Sequence, residues 1–308
     1  MLTKLKILDI AKVKGKITGK ELVKQFGVTR QYVNVLIRQL VETRELVKIG
    51  STRNAFYVPP EFIRLHPTII PSKFAKRYEN KSLEEHRVSA ELEERFQKLL
   101  SLKEHTKSIF DFAFSEMLNN AIEHSASRNI QIEVSLNEKE LVFIIDDSGI
   151  GVFRNIMRKY GLKSETEAIQ DLLKGKTTTI PRSHTGQGIF FTSKAADIFV
   201  LESFDKQLVI DNKIHDISIK NRSKPKRGTR VIFKIELNSN KHLSDVFKKF
   251  TNIAGDSDYG FDKTEVRIKL YMDSGINISR SQARRVLQGL DKFKVILLDF
   301  DKVPMIGQ

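Results

Sequence analysis

Apolar residues recur at helical spacing from the start of the chain. Leu2, Leu5, Ile7, Leu8, Ile10 and Ala11 predict a first helix. Thr18-Gly19-Lys20-Glu21 has the form of a capping box, in which a hydroxyl and a carboxylate satisfy the first free N–H groups of a second helix. Gly27 ends that helix, and Thr29 caps a third that runs to about Glu45. Its buried stripe is Val33, Leu36, Ile37 and Leu40. The period then changes: Leu46–Ile49 and Ala55–Val58 alternate as short strands around Gly50-Ser51-Thr52-Arg53-Asn54, a hairpin. Pro59-Pro60 stops the pattern.

Residues 61–84 read as a connector. Helical spacing resumes near Leu83 and lasts to about His124, with a break near Ser101. Ile130–Leu136 and Leu141–Asp146 predict a hairpin, and the polar run Val152–Thr185 holds one helix, Glu165–Leu173. A helix through Thr192–Asp197 precedes three predicted strands, Ile198–Phe204, Ile214–Lys220 and Thr229–Leu237. Beyond Asn238 come a helix over Lys241–Ala254, a strand over Val266–Tyr271, a helix opened at Ser279 and reaching Leu290, and a buried apolar strand, Val295–Phe300. A buried strand so close to Gln308 predicts an incomplete last domain and leaves open whether the natural chain extends further.

Charge changes this picture at one end. Of a formal net charge of +15, residues 1–60 hold twelve basic against four acidic residues, or +8. A basic excess concentrated in a fifth of the chain is the footprint of polyanion binding. Cysteine is absent, which removes disulfides and thiolate metal sites and suits a reducing, cytoplasmic setting. No apolar run reaches the roughly 18 residues of a membrane span, so no membrane role is expected.

The order helix, helix, short turn, helix, hairpin over residues 1–60 resembles a winged helix-turn-helix. The resemblance implies that the third helix enters the major groove of double-stranded DNA. Arg30, Gln31, Asn34 and Arg38 would then meet base edges, where Arg suits guanine and Gln or Asn suits adenine. Thr29, Tyr32, Lys48, Thr52 and Arg53 would touch phosphate or sugar.

Three short motifs point to a second chemistry. Glu116 and Asn120 are four apart, hence on one helix face. Asp147-Ser148-Gly149-Ile150-Gly151 follows a strand, where glycines let backbone approach a ligand. Gly186-Gln187-Gly188 opens a helix whose N-terminal N–H groups suit phosphates. Magnesium asks for one or two protein oxygens besides phosphate and water. In this order and spacing the motifs resemble the GHKL superfamily of gyrase B, histidine kinases and MutL, over about residues 85–237. The resemblance implies an α/β sandwich of the Bergerat type that binds ATP and Mg2+. Asn120 would hold the metal, Asp147 the adenine amine, and Thr229 would assist through a water. Glu116 would be the general base, with His124, Gly149, Gly151, Gly186 and Gly188 around the nucleotide. Glu123 stands before His124 where histidine kinases often carry Lys, so Lys174, Lys176 or Arg182 of the lid-like stretch would meet phosphate instead. His86 lacks the proline that commonly follows a phosphoacceptor histidine, and reads as a surface residue.

Residues from about 260 to 308 look similar to part of a STAS-like domain, the partner fold of anti-sigma kinases. The expected class is therefore α+β: a winged helix (1–60), a connector (61–84), a GHKL ATP-binding domain (85–237) and a partial STAS-like domain (238–308). The expected function is an ATP-gated transcriptional regulator with slow ATPase activity. The alternative is an anti-sigma-type serine kinase acting on a STAS-like or sigma-regulatory partner, and a homodimer stays open.

Overall fold

The computed structural model describes residues 2–50, 55–66, 71–175, 187–251, 263–272, 280–301 and 303. The chain divides into two compact units, one formed by residues 1–74 and 90–101, the other by 75–89 and 102–308.

In the first unit, α1 (Lys4–Lys14) starts at Thr3, whose side chain accepts the Lys6 N–H. The capping box of α2 (Gly19–Phe26) forms in both directions between Thr18 and Glu21, and Gly27 closes the helix in the left-handed region at φ 62°. Thr29 caps α3 (Arg30–Glu42), which ends three residues earlier than its apolar spacing predicts because the Thr43 hydroxyl turns back onto the Gln39 carbonyl. β1 (Val47–Ile49) and β2 (Phe56–Val58) pair antiparallel, and Ile17 exchanges two backbone hydrogen bonds with Tyr57. Ile7, Ala11, Leu22, Val33, Ile37, Leu40 and Leu46 pack into one core, each nearly fully buried. By transfer, each such Leu or Ile contributes roughly 1.5–3 kcal/mol. α4 (Pro60–Leu65) follows the hairpin.

The second unit is built on a five-stranded sheet of order β3-β4-β5-β7-β6. Its strands are β3 (Lys73–Glu79), β4 (Asn129–Leu136), β5 (Glu140–Asp147), β6 (Ile198–Asp211) and β7 (Asp216–Glu236). One correction concerns the predicted connector, which supplies β3. Its alternation of Phe74 and Tyr78 with Lys and Arg marks a half-buried strand hidden by its charge. A second correction is that the three strands expected over Ile198–Phe204, Ile214–Lys220 and Thr229–Leu237 are two: the last two merge into β7, which pairs antiparallel with β6 through the polar run 216–228.

Helices α5 (Glu85–Arg95) and α6 (Glu104–His124) precede β4. The buried face of α6 is Ile109, Phe110, Ala113, Phe114, Met117, Leu118 and Ala121. It meets Phe143 of β5, with Phe114 edge-on at 5.6 Å, while Phe143 stacks on Phe233 of β7 at 4.8 Å. This layer fixes α6 over the sheet. Between β5 and β6 lie α7 (Val152–Tyr160), α8 (Glu165–Lys174) and α9 (Gly188–Ala195), one helix more than the polar pattern predicts. α10 (Leu243–Phe250) follows β7.

The C-terminal segment pairs β8 (Lys263–Arg267) with β9 (Val295–Asp299) in parallel, linked through a 3-10 turn at Ile268–Tyr271 and α11 (Arg280–Leu287). Val266, Ile268, Tyr271, Val286 and Leu290 form its small core. The expectation of a buried last strand is overturned: Val295, Ile296, Leu297 and Leu298 are 37–44% exposed. Among the described residues no helix is long and apolar enough to cross a membrane.

Candidate functional site

The end of β5 and the turn after it form the centre of the site. Asp147 is 4% exposed, and its Oδ1 accepts N–H bonds from Gly149 at 2.8 Å and Thr229 at 3.2 Å. Burial pushes its carboxyl above the ordinary value of 3.8, helped by the neighbouring Asp146 charge and opposed by these two N–H groups and Lys226. Lys226 donates to the Asp147 carbonyl at 2.5 Å and pairs with Asp146 at 2.9 Å, while Arg230 pairs with the other side of Asp146. The Thr229 hydroxyl accepts the Val152 N–H at 2.9 Å. β7 and the glycine turn are thus tied to one carboxylate at the end of β5, and the Thr229 hydroxyl holds the start of α7.

Missing side chains hold this geometry open. A Cβ at Gly228, where φ is 78°, would lie 2.5 Å from Asp147 Oδ1 and 2.5 Å from the Gly149 nitrogen. A Cβ at Gly149 would fall on the Ser125 carbonyl, which accepts the Ile150 N–H at 2.8 Å. Ser127 completes the brace by accepting from the Ser148 N–H at 3.0 Å. The end of α6 therefore grips the first glycine turn. Ser125, Ser127 and Lys226 were missed in the sequence; Ser-Ala-Ser directly after the helix was the available signal.

Glu116 and Asn120 lie half-buried on one face of α6, and His124 closes the helix. A Cβ at Gly188 would come within 2.0 Å of Glu116 Oε2, so the carboxylate stands at the N-terminus of α9. That cradle fits a phosphate chain: glycine at the turn, the N-terminal end of a helix, and an acid beside it. Among the described residues no group of three His, Cys, Asp or Glu side chains converges to hold a metal. A magnesium at Asn120 would complete its shell with phosphate oxygens and water. Gly186, Lys176 and Arg182 lie outside the described residues.

Lys174 does not serve as a phosphate ligand here, which corrects one expectation. It is 4% exposed, and its ammonium donates to the carbonyls of Arg285 and Gln288 at 2.7 Å each, at the end of α11. Burial lowers its pKa to about 8 against the pull of Asp171, with Lys292 adding to the fall. Gln170 donates to the Leu270 carbonyl, Thr264 donates to the Lys174 carbonyl, and the Tyr271 hydroxyl donates to the Gln170 carbonyl. Polar residues of α8 face the C-terminal segment.

In the first unit Arg30, Gln31, Asn34 and Arg38 are exposed on α3, opposite Val33, Ile37 and Leu40. Thr29 is spent on the cap, and the Tyr32 hydroxyl donates to the Leu2 carbonyl at 3.0 Å. Lys48 stands 3.6 Å from Glu94. Thr52 and Arg53 lie outside the described residues.

No curated protein matches the chain. Residues 108–239, which span α6 through β7, match the histidine kinase-, DNA gyrase B-, and HSP90-like ATPase family, so this central stretch is a GHKL-type ATPase domain.

Proposed function

We propose that the protein is an ATP-gated, DNA-binding regulator. The observation that carries the nucleotide half is the buried Asp147 carboxylate, held by Gly149 and Thr229 N–H groups, within a glycine-lined cradle that ends at Glu116. Asp147 would accept from the adenine amine, Asn120 would hold Mg2+, and Glu116 would take the proton of an attacking water. His124 would border the phosphates. The Asp147 carboxyl must be ionised to accept the amine. Affinity for ATP should therefore fall as pH drops through its raised pKa, earlier than an ordinary carboxyl at 3.8 dictates.

The DNA half is supported by the three-helix and hairpin order, the Ile17–Tyr57 bridge beside the hairpin, and the exposed polar face of α3 in the most basic part of the chain. Replacing Arg30 and Arg38 by Ala should weaken duplex binding and flatten its salt dependence. Unchanged affinity and slope would remove this half.

A second reading, a serine kinase of the anti-sigma type, is favoured by the parallel strand pair and helix that the C-terminal segment presents, the arrangement expected of a STAS-like piece. ATP labelled on its γ-phosphate separates the two. Release as free phosphate supports the regulator, transfer to a protein serine supports the kinase, and Asn120→Ala should abolish either.

A further inference from the structure

The Lys226 side chain is only 12% exposed, low for a lysine. The path of β7 puts it there. The β5–β7 ladder ends at Asp146 and Arg230. On the β6 side, Ser203 pairs with Thr229 while the next residue, Phe204, pairs with Lys226, so β7 bulges at Arg227 and Gly228. Gly228, at φ 78°, supplies the backbone freedom for that bulge. The strand then returns Lys226 across the end of β5. Its ammonium donates to the Asp147 carbonyl at 2.5 Å and to the Arg227 carbonyl, and stands 2.9 Å from Asp146.

The charges around Lys226 balance under one condition. Arg230 holds the other oxygen of Asp146 at 2.6 Å and lies 3.8 Å from Glu202, which pairs with Arg222. Lys226, Arg222 and Arg230 thus face Asp146, Asp147 and Glu202, and neutrality requires Asp147 to be ionised. The other elements at the site add no opposing charge: α6 brings Ser125 and Ser127 to the glycine turn, and Arg154 of α7 is paired with Glu165. Burial and the Asp146 charge drive Asp147 toward its neutral form, and Lys226 is the cation that opposes them. The difference matters to a ligand amine. A carboxylate only accepts, whereas a protonated carboxyl presents a proton of its own.

We propose that Lys226 is a positioning residue of the nucleotide pocket, its ammonium holding the end of β5 and keeping the Asp147 carboxylate ionised as the acceptor the base requires. The proposal rests on the ATP reading of the site. Its test is calorimetric titration of the full chain with ATP and magnesium across a pH series. The midpoint at which affinity is lost is read as a difference from wild type, so that titration of ATP itself, Glu116 and His124 cancels. Lys226→Met should raise that midpoint by roughly one pH unit. Adding Asp146→Asn, which removes the charge that Lys226 offsets, should bring it back, and Lys226→Arg should leave it in place. Asp146→Asn alone should lower the midpoint, and it carries the test if Lys226→Met misfolds. A midpoint unmoved by Lys226→Met or by Asp146→Asn alone, or one that the pair does not restore, overturns the role of Lys226 while leaving the pocket intact. A wild-type chain that binds no ATP at any pH overturns the ATP reading as well.

Discussion

The two ends of the chain bury their apolar residues on opposite terms. The N-terminal helices and hairpin close a core of their own, with Ile7, Leu22, Val33, Ile37 and Leu40 each almost fully covered. The C-terminal segment has a core of only five residues and takes its buried polar contacts from α8 of the ATPase domain, through Gln170 and Lys174. A module with its own core keeps its fold whatever it contacts. A segment bonded to α8 is coupled to that helix, which lies in the chain between the two glycine turns. The path onward is short: Arg154 of α7 pairs with Glu165 of α8 at 2.6 Å and lies over the Phe204 ring at 3.3 Å, beside Gly151.

The largest effect should come from the N-terminal core. Ile37→Ala should cost about 2–5 kcal/mol in the unfolding of that unit, by denaturant titration, and leave ATP affinity within twofold. A large loss of ATP affinity would break the contrast between the ends. Next in size, Lys174→Ala strips two carbonyls at the end of α11 of their donor and should cost the second unit about 1–3 kcal/mol. Here ATP affinity should move several-fold, and an unmoved affinity would show that α8 does not carry the coupling. Tyr271→Phe, which removes only the hydroxyl bond to Gln170, should cost about 0.5–1.5 kcal/mol.

The smallest effect is one of pH. Lys174 holds its proton less tightly folded, at about 8, than unfolded, at 10.5. The unfolded chain therefore binds more protons in between, and stability should rise with pH from about 8. Burial raises the Tyr271 pKa above 10.0, which reverses the trend beyond that point. A thermal-melt series should show the rise up to about pH 10 in wild type and a smaller one in Lys174→Met, where Lys194, whose pKa burial also lowers, still contributes.

What could be read from the sequence was whatever required an unusual residue. Gly149 and Gly151 stand out beside Asp147 because the turn has no room for a Cβ at either, and Thr18 with Glu21 because a cap needs both. Gln170 and Lys174 were illegible: polar residues on a short helix read as solvated, and their partners lie about a hundred residues downstream. Consecutive apolar residues at Val295–Phe300 misled in the other direction, since period alone cannot say what covers a strand. Lys226 carries no local signal; only the pairing of β6 with β7 gives it meaning.

The distance along the chain between α8 and its cover also imposes an order of events during synthesis. β4, β5, β6 and β7 are complete once Glu236 has emerged, yet the groups that satisfy Gln170 and Lys174 come later, from Leu270 to Gln288. Until then a nascent chain has its sheet but a half-dressed α8. Pulse-labelled amide exchange on refolding should find the backbone of α8 protected after that of β5 and β7, once the segment from Leu270 to Gln288 has docked.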